Sequence, residues 1–334
     1  MKAAPTEKCA VLLLNLGGPE TLEDVRPFLY RLFSDPEIIR IKNPVFRRLL
    51  AWGISHAREK KSQNLYRLIG GGSPLRVITK SQAAALEAAL ADEGSRVHVH
   101  VGMLCGKPSI DEAFDGIIAD GTRRLVLLPL FPQYSRTTTG ACFRYVRTLI
   151  KRRNLAGKIE LFFVENWYKN QLYIDAITDT IMAGIERFHK NESKRAHILY
   201  SAHALPERYI GEGDPYLDQT RECVSLINDR LKAQHRHDIE HSLAFQSRIG
   251  PVKWLTPSPE TAMRSLAQKG VNRILAVPVS FVSDHIETLY ELDIAHRKLA
   301  SELGFVEFHR TESLNISPKF ISALASIVLN SGRL

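Results

Sequence analysis

Four ionisable side chains lie within eight residues of each other, and their types could move protons or bind a metal: Asp284, His285, Glu287 and Glu291. They follow the apolar run 277–282, which is typical of a buried strand. On an α-helix the three carboxylates would stand at i, i+3 and i+7 and share one face. Either they do chemistry together, or Asp284 caps a helix whose N-terminal dipole favours the other two acids.

His203 ends another apolar run, Ile198-Leu-Tyr-Ser-Ala-His203. A neutral imidazole there could accept a proton or bind a divalent first-row metal together with a carboxylate. A hydrogen-bonded core histidine is the alternative interpretation.

The elements that must position these side chains alternate between strands and helices. Longer segments of helical periodicity, such as Ser81–Leu90 and Tyr168–Phe188, separate the apolar runs, so the pattern predicts an α/β fold with parallel sheets. Polar or glycine-rich turns follow several runs, where open parallel sheets bind ligands. The eight predicted strands are Ala10–Leu14, Val97–Val101, Leu125–Phe131, Ile159–Val164, His197–Ser201, Leu243–Gln246, Arg273–Phe281 and Phe305–Phe308.

The chain also resembles itself at an offset of 149 residues. Seven positions agree at that offset, which favours an internal duplication over the chance likeness of two βα units. Asp284 and Glu287 then fall opposite Ser135 and Thr138. We therefore expect an asymmetric site whose chemistry lies in the C-terminal half.

Composition limits the class of protein. A chain of 334 residues with 44% hydrophobic and 24% charged residues can form two globular domains, and it has no apolar run of bilayer-spanning length. With no secretory signal at its start, we expect a cytoplasmic protein. The four cysteines are scattered and predict reduced thiols rather than disulfides or a metal cradle. The net charge of +9 suits an acidic partner, unless the basic residues form a solvated face.

Two features of the first half have alternative interpretations. The glycines of Tyr66-Arg-Leu-Ile-Gly-Gly-Gly-Ser-Pro74 would allow a ligand to approach the backbone, but they fit neither a dinucleotide fingerprint nor a P-loop. The apolar residues of Arg26–Phe33 recur at helical spacing and could form a lip over a flat ligand or a core face.

An ordered set of motifs resembles the ferrochelatase family from about Ala10 to Ser326. The resemblance implies a lyase of haem and porphyrin biosynthesis that inserts ferrous iron into a dicarboxylic or tetracarboxylic porphyrin, with protoporphyrin IX as the expected substrate. It also implies two Rossmann-like domains with the active cleft between them. The motifs are Leu14-Asn-Leu-Gly-Gly-Pro-Glu-Thr21, Tyr66–Pro74, Pro132-Gln-Tyr-Ser135, Ser201-Ala-His-Ala-Leu-Pro206, Gly213-Asp-Pro-Tyr216, Phe245-Gln-Ser-Arg-Ile-Gly-Pro251 with Trp254, and Ser283-Asp-His-Ile-Glu-Thr-Leu289.

The same resemblance implies a role for each site residue. His203, with its proton affinity kept low by an apolar cleft, would take pyrrole protons and bind iron with Glu287. Asp284 and Glu291 would extend the acidic path, and His285 would orient these groups. The expected substrate-binding residues are Leu16, Arg58, Tyr66, Ser73, Trp254 and Phe281, with Arg58 and Ser73 near the propionates.

Further expectations concern domains, cofactors and partners. The predicted domains are residues 1–160, 161–310 and a C-terminal helix at 311–334. Iron is expected as a substrate, and no iron–sulfur cluster is expected because the chain lacks the cysteine-rich tail of the animal enzymes and has Arg136 in the matching region. The family often has an Arg-Tyr pair where this chain has Leu104 and Cys105. Partners are porphyrin and iron, without nucleic acid, together with peripheral membrane contact and other haem-pathway enzymes.

Three alternatives stay open at this stage. Coproporphyrin III could replace protoporphyrin IX as the substrate. A sister chelatase could insert cobalt or nickel into another tetrapyrrole, and a non-catalytic haem or porphyrin carrier would need neither His203 nor Glu287.

Overall fold

The computed structural model describes residues 8–188, 196–235, 239–250 and 252–331. These residues form two compact units. The first comprises the described residues up to Phe131, Ser135–Trp167 and those from Ile321 onward, and the second comprises Pro132–Tyr134 and Tyr168–Phe320. The predicted division at 1–160, 161–310 and 311–334 stays a prediction about folding domains.

The first unit is built on a parallel four-stranded sheet. Its strand order is β2-β1-β3-β4, with β1 at Cys9–Asn15, β2 at His98–Met103, β3 at Arg124–Pro129 and β4 at Glu160–Phe163. The helices of this part of the chain are α1 (Val25–Ser34), α2 (Pro44–Arg67), α3 (Leu75–Asp92), α4 (Ile110–Ala119) and α5 (Thr139–Arg152).

The second unit repeats the arrangement. Its parallel sheet has the order β6-β5-β7-β8, with β5 at His197–His203, β6 at His241–Gln246, β7 at Arg273–Pro278 and β8 at Glu307–Arg310. The remaining helices are α6 (Gln171–Glu186), α7 (Glu207–Gly211), α8 (Tyr216–His235), α9 (Pro259–Gln268), a π-helix (Glu287–His296), α10 (Arg297–Glu302) and α11 (Pro318–Asn330).

The two sheets confirm the predicted duplication. Strand β7 occupies the place in its sheet that β3 occupies in the other, and the two strands begin 149 residues apart, at Arg124 and Arg273. A strand overlaps each of the eight predicted runs, with β8 starting two residues later than predicted. The central strands β1, β3, β5 and β7 are buried on both faces, as expected in parallel sheets. The helix after β3 is a regular α-helix, whereas the one after β7 is π-helical.

Each unit has its own apolar core. In the first, alternate residues of β1 (Ala10, Leu12 and Leu14) are fully buried and pack with α4 and α5. In the second, Leu199, Met263 and Ile274 belong to the corresponding cluster. Phe28, Leu29 and Phe33 of α1 are buried, so this face belongs to the core and does not form a lip. Among the described residues, no helix is both long and apolar enough to cross a bilayer.

Candidate active site

The imidazole of His203 and the carboxylate of Glu287 are in direct contact. His203 is the last residue of β5, and Glu287 opens the π-helix, so the carboxyl end of a buried strand and a helix start bring them together. His203 Nδ1 lies 2.9 Å from Glu287 Oε2. The tautomer that donates from Nδ1 leaves the lone pair on Nε2, so the ring can still accept a proton or bind a metal there.

Ser247 joins Glu287 to Glu291. Its Oγ lies 2.6 Å from Glu287 Oε2 and 2.7 Å from Glu291 Oε2. Ser247 follows β6 and has a φ of 65°, a left-handed conformation that is strained for a residue with a Cβ. Strain of this kind persists where the surroundings hold it, and here it accompanies a hydroxyl shared by two carboxyl groups.

Counting protons sets the charge state of this group. Ser247 has one hydroxyl proton, so only one of its two short contacts can use it. Burial, together with the nearby charge of Glu287, raises the pKa of Glu291. Glu291 is therefore the carboxyl group that carries a proton and can supply the second hydrogen bond.

The pKa of His203 differs from the expectation of low proton affinity. Burial does lower it, but the charge and the hydrogen bond of Glu287 outweigh burial and raise the pKa above the ordinary histidine value. Burial would likewise raise the pKa of Glu287, but the adjacent imidazole of His203 outweighs it and holds that pKa well below the ordinary value. The contact with Glu287 thus makes His203 a stronger base than an isolated buried imidazole.

Buried polar groups hold the backbone of both partners. Gln246 Nε2 donates to the carbonyl of Glu287 at 3.1 Å, and Ser201 Oγ bonds Gln246 Oε1. Tyr216 Oη donates to the carbonyl of His203 at 2.9 Å and lies 2.6 Å from Ser280 Oγ. These bonds fix the distance between the imidazole and the carboxylate.

Asp284 does not share a face with the other carboxylates, so the one-face ladder predicted from spacing is wrong. It precedes the helix, and its carboxylate accepts hydrogen bonds from Asn315 Nδ2 (2.9 Å), Ser313 Oγ (2.7 Å), Thr288 Oγ1 (3.2 Å) and Arg310 Nη1 (3.1 Å). Burial would raise its pKa, but these donors outweigh burial and hold the pKa below its usual value.

Aromatic side chains line the same part of the second unit. The ring of Phe281 lies 4.3 Å from that of His285 and 6.2 Å, edge-on, from that of His203. Neither ring nitrogen of His285 has a hydrogen-bond partner in the described structure, and burial lowers its pKa. Trp254 pairs with Pro206, three residues beyond His203, and its buried indole N–H has no partner among the described residues.

The other four predicted substrate-binding residues belong to the first unit. Leu16 follows β1, and Tyr66 is buried near the end of α2. Arg58 lies on α2, and its buried Nε has no hydrogen-bond partner among the described residues. Ser73 donates its backbone N–H to the carbonyl of Pro19 at 2.7 Å.

The glycine run before Ser73 serves the fold. A Cβ on Gly72 would lie 2.0 Å from the carbonyl oxygen of Glu20, and Gly71 has a φ of +92°. Another loop of the chain thus approaches Gly72, whereas a Cβ on Gly70 or Gly71 would meet nothing within 4 Å, and the approach of a ligand to these two glycines stays a prediction. Leu104, at a departure from the family pattern, packs against the core of this unit, and Cys105 is buried beside it.

Few side chains that could bind a metal ion lie close together in the described structure. Throughout the part of the chain that the structure describes, no three His, Cys, Asp or Glu side chains are grouped so as to hold a metal ion. His203 and Glu287, the two predicted metal ligands, lie in contact with each other, and their role as iron ligands stays a prediction. All four cysteines are free thiols, and burial raises the pKa of Cys105 to about 12.

Sequence reasoning missed several residues of this site. Ser247 and Gln246 lie inside a motif that was recognised, but nothing in their types revealed the left-handed conformation or the bond to the Glu287 carbonyl. Tyr216 lies in the motif Gly213-Asp-Pro-Tyr216, but the sequence predicts no role for its side chain. Arg310 stands at a strand end, a position that could have drawn attention to it.

The chain is similar to known proteins over nearly its whole length. The model of the Ferrochelatase family matches residues 8–331. A ferrochelatase of Gloeobacter violaceus is 48% identical over 322 residues, which cover 96% of this chain and 97% of the relative. A ferrochelatase of Gloeothece citriformis is 46% identical over 325 residues, covering 97% of this chain and 82% of the relative.

A solved structure shares the fold. The sirohydrochlorin chelatase SirB from Bacillus subtilis subspecies spizizenii, in complex with cobalt, has a TM-score of 0.53 and 11% identity. The alignment covers 97% of this chain and 95% of that chain.

Proposed function

The chain belongs to the ferrochelatase family of lyases, which insert metal into porphyrin in haem synthesis, and on this premise we propose that it inserts Fe²⁺ into protoporphyrin IX. The observation that carries the proposal is the 2.9 Å contact between His203 and Glu287, with a lone pair left on the second ring nitrogen. A carrier that only bound haem would have no use for a base and a carboxylate held in contact.

Insertion requires two pyrrole N–H protons to leave as the metal binds the four nitrogens. Nε2 of neutral His203 accepts one pyrrole proton, and Glu287 stabilises the imidazolium that forms. The imidazolium then releases this proton, and Nε2 accepts the second pyrrole proton in the same way. Ser247 and Glu291 extend the hydrogen-bonded chain from Glu287 away from the imidazole. His203 and Glu287 are also the proposed ligands of Fe²⁺, and because the ion and a proton use the same ring lone pair, His203 binds one of them at a time. Neutral His285 and Phe281 offer an aromatic wall to the macrocycle.

Arg58 suits a propionate of the substrate. Its buried Nε lacks a partner among the described residues, and buried donors are normally satisfied, so an acceptor is expected there. A guanidinium pairs with a carboxylate through two parallel hydrogen bonds. Trp254, Tyr66, Leu16 and Ser73 complete the proposed porphyrin contacts. The basic balance of the chain suits a dianionic porphyrin, and nucleic acid is not proposed as a partner.

The location is proposed to be cytoplasmic, with peripheral contact at the inner face of the membrane. Five large apolar side chains are exposed within the first turns of α2: Val45, Phe46, Leu49, Leu50 and Trp52. Exposed Lys42 and Arg48 lie beside them in the sequence, as suits an anionic headgroup layer. The double variant Phe46→Ser/Leu49→Ser should lose co-sedimentation with phosphatidylglycerol vesicles, and Val306→Ser, which changes an exposed apolar residue elsewhere, should keep it.

A metalation assay tests the proposed reaction. The protein is incubated anaerobically with protoporphyrin IX, coproporphyrin III or sirohydrochlorin and with Fe²⁺, Co²⁺, Ni²⁺ or Zn²⁺, and metalation is followed by absorbance. We expect the highest kcat/KM for Fe²⁺ with protoporphyrin IX. Preference for coproporphyrin III would change the substrate and keep the reaction. Turnover only with sirohydrochlorin, or binding without turnover, would contradict the proposal.

A further inference from the structure

Arg310 ties the segment before the π-helix to the last turns of that helix. It ends β8, and its side chain is only 10% exposed. Nε and Nη2 donate to Asp293 Oδ2 at 3.0 and 2.8 Å, and Nη1 donates to Asp284 Oδ1 at 3.1 Å. Nη1 also contacts Ser313 Oγ and the carbonyl of Thr311. One rigid guanidinium therefore fixes two carboxylates.

The positions of these two carboxylates are informative. Asp284 lies three residues before the π-helix, whereas Asp293 is the seventh of its ten residues. Both carboxylates nevertheless reach the same guanidinium. Arg310, from a neighbouring strand, therefore fixes the π-helix both at the segment that leads into it and in its second half.

The duplicated half offers an internal comparison. Arg310 pairs in register with Ala276, and the corresponding pair 149 residues earlier in β3 is Leu127 with Phe163. Phe163 packs edge-on against Phe143 of α5 at 4.8 Å. An apolar contact at this place therefore accompanies a regular α-helix, and the charged contact accompanies the π-helix.

Resting on the proposed function, we propose that Arg310, with Asp284 and Asp293, is a positioning group that holds the π-helix in the winding at which Glu287 and Glu291 meet Ser247 and His203. Asp284 belongs to this clamp and does not carry protons. Its carboxylate accepts from four protein donors, three on Oδ1 and one on Oδ2, and neither His203 nor Glu287 is among them.

Paired variants test the clamp. Arg310→Met removes the guanidinium that bonds Asp284 and Asp293. The control, Arg273→Met, removes a guanidinium of similar burial that bonds Glu307 at 3.0 Å, at the other end of the β7–β8 pair. With Fe²⁺ and protoporphyrin IX, we expect Arg310→Met to lower kcat at least tenfold with the porphyrin KM within twofold, and Arg273→Met to keep the wild-type kcat. Arg310→Lys, which can reach one carboxylate at a time, should be intermediate.

A double variant separates the clamp from a proton path. If Asp284 acts only through Arg310, Arg310→Met/Asp284→Asn loses little more kcat than Arg310→Met alone. If the kcat losses of the two single variants multiply in the double variant, Asp284 acts independently of Arg310, as a proton carrier would, and its place in the clamp is overturned. Should Arg310→Met fail to fold, Arg310→Lys and Asp293→Asn carry the test, and wild-type kcat in both would overturn the proposal.

Hydrogen exchange makes the test independent of turnover. Amides of residues 287–296 should exchange faster in Arg310→Met than in Arg273→Met, because the clamp is lost only in the first. Equal exchange in the two variants would overturn the clamp, even if the wild type proved inactive. An inactive wild type with unequal exchange would instead contradict the proposed function alone.

Discussion

Removing the hydroxyl of Ser247 should slow metal insertion through the loss of one hydrogen bond. That hydroxyl lies 2.6 Å from an ionised carboxylate, and a hydrogen bond to a charged group contributes about 1.5–3 kcal/mol. If this bond sets the position and charge of Glu287, Ser247→Ala should lower kcat by roughly 10- to 150-fold, since each 1.36 kcal/mol is tenfold in rate. Porphyrin KM should change little.

Ser247→Gly separates chemistry from backbone strain. With a φ of 65° at this position, alanine keeps a left-handed strain of about 1–2 kcal/mol that glycine lacks. Both variants lose the hydroxyl, so both should show the same low kcat, and Ser247→Gly should have the larger free energy of unfolding in urea. Steady-state metalation and urea titration check this. Full turnover in Ser247→Gly would show that the hydroxyl has no part in the reaction.

Three further outcomes are expected. First, kcat should rise with pH through an acid limb whose midpoint lies above about 6.5, the ordinary histidine pKa. The reason is that His203 accepts protons only when neutral and that Glu287 raises the pKa of His203. A midpoint below about 6.5 in the measured pH profile of kcat would contradict this. Second, Arg58→Ala should raise porphyrin KM more than it lowers kcat, and equal KM values would exclude Arg58 from propionate binding. Third, anaerobically purified protein should contain no stoichiometric acid-labile sulfide, and finding it would reveal an iron–sulfur cluster.

The sheets were predictable because parallel strands buried on both faces leave continuous apolar runs. The 149-residue offset in the sequence also predicts that β3 and β7 are equivalent strands, as the two strand orders show. The sequence likewise pointed to His203 and Glu287, since both follow a buried strand at its carboxyl end.

The features that the sequence did not predict depend on contacts between residues far apart in the chain. An α-helical spacing rule misplaced Asp284, because Asp284 precedes the helix and its carboxylate is held by donors such as Arg310 and Asn315, which come later in the chain. The left-handed conformation of Ser247 leaves no compositional mark, unlike a glycine turn. An apolar cleft predicts a low proton affinity for His203, whereas the charge and the hydrogen bond of Glu287 reverse the direction of the pKa shift.

The central claim is that His203 and Glu287 act as one unit, and a double-mutant cycle on kcat for Fe²⁺ insertion tests it most directly. His203→Ala and Glu287→Gln should each lower kcat by about 10²–10⁴-fold, the usual range for a general base. Since either change disables the same pair, the double variant should be little slower than either single variant. Wild-type turnover in His203→Ala, or two losses that simply multiply, would contradict the account.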